Sequence, residues 1–170
     1  LVSGDPITMA PGFYEFYPED FRLSREILYN NAFRLSLEWS RIFTEPTDGV
    51  PEEELYRKAN PSALAYYHAL LQKGKELGLK LFVNINHYTL PLWIHQGVEC
   101  HRVFRSGDKK LTSCSARGWV DRDRIQREFS RYAWFVGKEF GDKVDLWATL
   151  NEPFAIVLAG YLFPNGKERS

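Results

Sequence analysis

Three apolar runs alternate with stretches of helical period along this chain. Ala32-Phe-Arg-Leu-Ser-Leu-Glu-Trp39, Leu79-Lys-Leu-Phe-Val-Asn-Ile85 and Val144-Asp-Leu-Trp-Ala-Thr-Leu150 are short and rich in branched and aromatic residues, which predicts strands. Between the first two, residues 62–77 place Tyr67, Leu70, Leu71, Gly74 and Leu77 on one helical face, and Gly78 offers a stop. Between the last two, residues 123–140 place Ile125, Phe129, Ala133, Val136 and Phe140 near helical spacing, with Gly141 as the stop. Residues 17–29 predict one more helix ahead of the first strand. Helix, strand, helix, strand, helix, strand implies right-handed crossovers and a parallel sheet, an α/β fold. Beyond that alternation the sequence has no internal repeat.

Two stretches fit neither period. Residues 44–60, with prolines and the consecutive Glu52, Glu53 and Glu54, read as a long loop after the first strand. Residues 97–118 read as a polar, basic loop insertion after the second, with Arg102, Arg105, Lys109 and Lys110 solvated. Each follows a strand and precedes a helix, so both should rise from the face where the strands end, and long loops on such a face usually shape a site.

Composition narrows the function classes. At 170 residues, 44% apolar and 15% aromatic, the chain has enough material for one core. Lys plus Arg equals Asp plus Glu at 22 each, so nothing argues for nucleic acid or an acidic membrane surface, and the partner should be neutral. No apolar stretch approaches the roughly 18 residues of a membrane span, and no secretory pattern opens the chain, which gives a cytoplasmic location as the expectation. Two cysteines without a secretory signal predict reduced thiols, a Cys100–Cys114 disulfide being the alternative. His95, Cys100, His101 and Cys114 could supply metal ligands, but neither cysteine has a second one two to four residues away, so no metal or cofactor is expected.

The most informative residues are Thr149-Leu-Asn-Glu-Pro-Phe154, which set a carboxylic acid and an amide at the end of an apolar run. A lone Glu152 there is a candidate general acid if the run is a barrel strand, because a (β/α) barrel collects catalytic groups at its strand C-termini. Asn-Glu-Pro also reads as a plain strand end followed by a turn. On the same face the pattern gathers Arg34, Glu38, Asn86, His87, Asn151 and Glu152, bordered by Trp39, Tyr88, Trp93 and Trp119. Carboxylate, amide, imidazole and aromatic faces together suit a sugar, whose hydroxyls take bidentate partners while its C–H face stacks on rings. Each residue also has a structural reading: His87 as a satisfied strand-end histidine, Arg34 with Glu38 as an ion pair in the barrel wall, and Trp39, Trp93 and Trp147 as core.

Phe33-Arg-Leu-Ser-Leu-Glu-Trp-Ser-Arg-Ile-Phe43, Asn86-His-Tyr-Thr-Leu-Pro-Leu-Trp-Ile94 and Thr149-Leu-Asn-Glu-Pro153 resemble, in order, three signatures of glycoside hydrolase family 1, the retaining β-glucosidases and β-galactosidases. Leu1-Val-Ser-Gly-Asp5, Pro11-Gly-Phe-Tyr14 and Leu90-Pro-Leu-Trp-Ile-His95 are similar to its archaeal-type β-glycosidase branch. The resemblance implies a (β/α)8 TIM barrel, of which this chain matches only the part from just after the first strand to just past the fourth. It implies a β-glycoside or oligosaccharide substrate, and it leaves room for a homo-oligomer in a full-length protein. By motif, Glu152 matches the acid/base, Asn151 the amide at the sugar 2-hydroxyl, His87 a histidine on the glycone hydroxyls, and Arg34 an arginine against the nucleophilic carboxylate. Tyr88 stands where the family commonly has Trp, keeping an aromatic face for the substrate, and Thr44 stands where Pro usually follows Arg-Ile-Phe.

Retaining cleavage needs two carboxyl groups about 5 to 5.5 Å apart, one attacking the anomeric carbon and one protonating the leaving oxygen. The family's nucleophile lies in an Ile-Thr-Glu-Asn-Gly type segment near the seventh strand, and this sequence has none. The expectation is therefore a chain that supplies the acid/base half of a longer enzyme and is inactive and poorly stable by itself. The alternative is a truncated, non-catalytic carbohydrate-binding remnant.

Overall fold

The computed structural model describes residues 12–158, so Leu1-Val-Ser-Gly-Asp5 and Pro11 of the motifs above lie outside the described residues. Three parallel strands, β1 (Ala32–Ser36), β2 (Lys80–Asn86) and β3 (Leu146–Leu150), lie side by side in that order. Helix α1 (Phe13–Arg22) precedes them, α3 (Pro61–Glu76) joins β1 to β2, and α5 (Arg122–Phe140) joins β2 to β3. Smaller helices follow each strand: α2 (Trp39–Ile42), α4 (Gly97–Arg105) and α6 (Pro153–Val157). The three strands and the crossover helices are those the hydrophobic pattern predicts, shifted by a residue or two at their ends except at the end of β1.

Register fixes which side chains share a face. Arg34 pairs with Phe82 and Phe82 with Leu146, while Ser36 pairs with Asn84 and Asn84 with Ala148. Because side chains alternate along a strand, these residues occupy one face, and Leu35, Leu81, Val83 and Ile85 the other. The second face meets α3 and α5 in a core with Leu70, Leu71, Tyr132, Phe135, Val136 and Phe140. Gly74 permits the close approach of α3, since a Cβ there would come within 2.7 Å of Leu81 Cδ2. Burying each large apolar side chain of this layer contributes about 1.5–3 kcal/mol.

Three segments depart from the sequence reading. β1 ends at Ser36 rather than Trp39, because Glu38 caps a helical turn by accepting from the Ser40 amide at 3.3 Å. That turn drops Trp39 into the core, 1% exposed and stacked on Tyr132 at 4.9 Å between ring centroids. The predicted 97–118 loop contains helix α4, and Cys100 and Cys114 are joined in a disulfide rather than reduced. Helix α4 carries Cys100 back against the returning chain, where Gln96 N–H donates to Ala116 O at 2.9 Å and His95 pairs with Arg117, so the two Cα atoms stand 5.1 Å apart. With both sulfurs in the bridge, neither is free as a thiolate for a metal. Arg102, Arg105, Lys109 and Lys110 are exposed, as their charge requires. The 44–60 stretch, read as loop, holds a 3-10 helix, Glu52–Arg57. Among the described residues no helix is long and apolar enough to cross a membrane.

Candidate active site

The three strands deliver polar groups to one end of the sheet, and hydrogen bonds tie those groups together across strands. From β1, Arg34 donates through Nη2 to Asn151 Oδ1 at 2.6 Å, and its guanidinium lies 5.7 Å from the centre of the Phe82 ring. Ser36 Oγ is 3.0 Å from His87 Nδ1. At the end of β2, Asn86 Nδ2 donates to Thr89 O at 2.7 Å, closing a tight turn that presents His87 and Tyr88. Just beyond β3, Asn151 N–H donates to Asn86 O at 2.9 Å, so the amide and the Glu152 that follows sit directly beside that turn.

Two non-glycine residues here have left-handed backbones, Tyr88 at φ 68° and Glu152 at φ 41°. Each such conformation costs roughly 1–3 kcal/mol and persists only where its surroundings enforce it. At Glu152, Pro153 begins α6 and the Asn151 amide is already bound to β2. At Tyr88, the Asn86 side chain clamps the turn from inside while Thr89 Oγ1 donates to Glu38 Oε2 at 2.6 Å from outside. The two strained residues meet, with the Tyr88 hydroxyl donating to the Glu152 carboxylate. That bond, above all else, raises the pKa of the Tyr88 phenol above its usual value, because removing its proton would set two negative oxygens together.

Arg34, His87, Tyr88 and Glu152 are exposed, whereas Asn86 and Asn151 are buried. The open groups are therefore held in place by buried amides beneath them. Arg34 and Glu38 do not form the ion pair the sequence allows: Arg34 turns to Asn151, and Glu38 accepts from Thr89 and, at 2.8 Å, from Ser40 Oγ. Of the aromatic border, Trp39 belongs to the core and Trp93 packs on it, donating its indole N–H to Phe43 O at 3.0 Å. Trp119 and Tyr88 line a largely apolar cleft of about 730 Å³ that continues past Leu92 and Val98 to Ala155 and Ile156 of α6. A cleft of about 530 Å³ runs along the other side of β1, past Arg34, Ser36 and Glu38.

Ser36, Thr89 and Tyr67 complete this network without having been predicted for it. Ser36 lies two residues from Arg34, so strand period alone would place it on the same face. The helical pattern marks Tyr67 only as a core residue, yet its hydroxyl accepts from the Glu38 amide at 2.9 Å. Thr89 carries no periodic signal.

Comparison with known proteins places this arrangement. The family model described as "Glycosyl hydrolase family 1" matches residues 2–101 and 109–168. A β-galactosidase from Pyrococcus woesei is 36% identical over 185 aligned residues, covering 96% of this chain and 34% of that protein. Beta-glucosidase 31 of Arabidopsis thaliana is 33% identical, covering 95% of this chain and 24% of that protein. The crystal structure of the β-glycosidase from Thermosphaera aggregans superposes with a TM-score of 0.79 at 30% identity, over 90% of this chain and 34% of that one. The chain spans about a third of the length of these archaeal relatives. Its sheet and helices are accordingly one arc of a (β/α)8 TIM barrel. By motif, by matched length and by superposition, the chain belongs to glycosyl hydrolase family 1.

Proposed function

We propose that this chain is the acid/base-bearing part of a retaining β-glycosidase, with Glu152 as the proton donor. The observation that carries the reading is the convergence of Glu152, Asn151, Arg34 and His87 at the C-terminal ends of three neighbouring parallel strands, with Asn151 fixed by Arg34 at 2.6 Å. An exposed carboxylic acid beside a fixed amide is the arrangement needed to protonate a glycosidic oxygen while holding the adjacent sugar hydroxyl. Asn151 would hold the 2-hydroxyl through a contact that strengthens as positive charge develops at the anomeric carbon. His87 would bind glycone hydroxyls through the ring nitrogen not engaged with Ser36, and Tyr88 would offer an aromatic face.

Arg34 would lie against the nucleophilic carboxylate, which a later barrel strand would contribute. Once the sugar is transferred to that carboxylate, the same Glu that gave the proton would act as base on water. The substrate is a neutral β-glycoside or oligosaccharide, in keeping with relatives named β-galactosidase and β-glucosidase.

A leaving-group series in the full-length protein tests the assignment. Glu152→Gln should lower kcat/KM for alkyl β-glycosides by orders of magnitude and leave activated aryl β-glycosides far less affected, because a good leaving group needs little protonation. Equal losses on both classes would remove Glu152 from the acid/base role. Sugar binding without turnover by the full-length wild-type protein would point instead to a non-catalytic carbohydrate-binding remnant.

A further inference from the structure

We infer that Tyr88 is a positioning residue for Glu152: its hydroxyl holds one carboxylate oxygen throughout the reaction, leaving the other free to carry the transferred proton. The inference rests on the reading of Glu152 as acid/base. Three observations lead to it. The phenol donates directly to Glu152 Oε2. Both residues adopt left-handed backbones, φ 68° and φ 41°, and it is in these conformations that the two side chains meet. The Tyr88 turn is locked from both sides, by Asn86 Nδ2 on Thr89 O at 2.7 Å and by Thr89 Oγ1 on Glu38 Oε2 at 2.6 Å. A tyrosine placed only to stack on a sugar would need neither the strain nor the hydroxyl contact.

The proton accounting is simple. In the first half-reaction the Glu152 O–H bond breaks as its proton passes to the glycosidic oxygen, whose bond to the anomeric carbon breaks with the electron pair leaving on oxygen. In the second, the carboxylate removes a proton from the attacking water. Tyr88 keeps its own proton in both. A donor favours the charged form of its acceptor, so the contribution of the Tyr88 hydroxyl is read in the pH dependence of acid catalysis. The other charged or titratable groups facing the pair are Arg34 from β1, His87 from the β2 turn and Glu38 through Thr89. None of them is removed when the Tyr88 hydroxyl is.

The test is the alkaline limb of kcat/KM against pH in the full-length protein, on an alkyl β-glycoside. Tyr88→Phe keeps the ring and should move that limb upward by up to about half a unit, water competing for so open a pair. Replacing Tyr88 by 3-fluorotyrosine, a more acidic phenol and stronger donor of nearly the same shape, should move it downward. It gives a reading even if the Phe variant folds poorly. Glu152→Gln separates the two ideas. If the limb persists in that variant, the acid/base assignment fails. If Glu152→Gln abolishes the limb while Phe and 3-fluorotyrosine leave it where wild type has it, or move it the opposite way, the Tyr88 inference alone is overturned.

Discussion

Replacing Glu128 by Ala should be among the most damaging single changes in this fold, and the structure says why. Its carboxylate is fully buried and accepts three hydrogen bonds, from Thr47 Oγ1 at 2.8 Å, Arg131 Nη1 at 2.9 Å and Arg127 Nε at 2.9 Å. Arg131, 9% exposed, also donates to Thr47 O at 2.9 Å and to Val50 O. The network clamps the loop that follows β1 across the N-terminal half of α5. Deleting one partner of a buried pair leaves the other charge uncompensated, at a cost of about 3–5 kcal/mol. Arg131 keeps two carbonyl acceptors and Arg127 is half open to water, so the lower end applies, about 3 kcal/mol. Glu128→Gln keeps the volume and part of the bonding and should cost about 1–2 kcal/mol. Urea unfolding of the full-length protein, followed by tryptophan fluorescence, reads both, and the Ala midpoint should fall below those of wild type and Gln. An Ala variant that loses under about 1 kcal/mol, or no more than Gln, would show that the buried cluster behaves like an ordinary surface pair.

Two further expectations follow from the sheet. Asp145, which accepts from Leu81 N–H at 2.9 Å and from Lys75 and Lys80, is held down to about 2 by those donors, the backbone N–H first. Its stabilising effect is present above the unfolded carboxylate value of about 3.9 and disappears as pH falls through about 2. A carboxyl NMR titration giving an ordinary midpoint would refute the bracing of β3 on β2. The 170-residue chain by itself should unfold broadly and self-associate, because among the described residues β1 and β3 each have one strand neighbour and Leu146, Phe154 and Val157 are 58%, 68% and 45% exposed. A cooperative, monomeric transition at high temperature, seen by calorimetry with sedimentation, would contradict that.

What the sequence revealed, and what it concealed, follows from the range of each signal. Strands and crossover helices were legible because Leu35, Leu81, Val83 and Ile85 on one side, and Leu70, Leu71 and Val136 on the other, repeat at the period of the element that buries them. Helix α4 was hidden because it is short and polar and depends on the Cys100–Cys114 bridge and on pairing at His95 and Ala116, contacts with no periodicity. The early end of β1 was hidden for a similar reason: Ala32 to Trp39 is apolar enough to continue, and only the Glu38 cap and the space above Tyr132 turn Trp39 inward. The site was legible through motif and strand period, which put Arg34, His87, Asn151 and Glu152 on one end. The Tyr88–Glu152 bond was not, because it depends on two left-handed residues 64 positions apart. The sequence pattern points to the ring of Tyr88, whereas the contact with Glu152 is made by its hydroxyl.

The assignment of Glu152 is tested most directly by azide rescue. In the full-length Glu152→Gln variant, an activated aryl β-glycoside should still form a covalent glycosyl intermediate, whose slow hydrolysis then limits turnover. Added azide, a small anion that needs no general base, should restore the rate and yield the β-glycosyl azide, since attack on an α-linked intermediate inverts the centre a second time. No rate recovery, or an azide product of α configuration, would contradict Glu152 as the acid/base of a retaining enzyme.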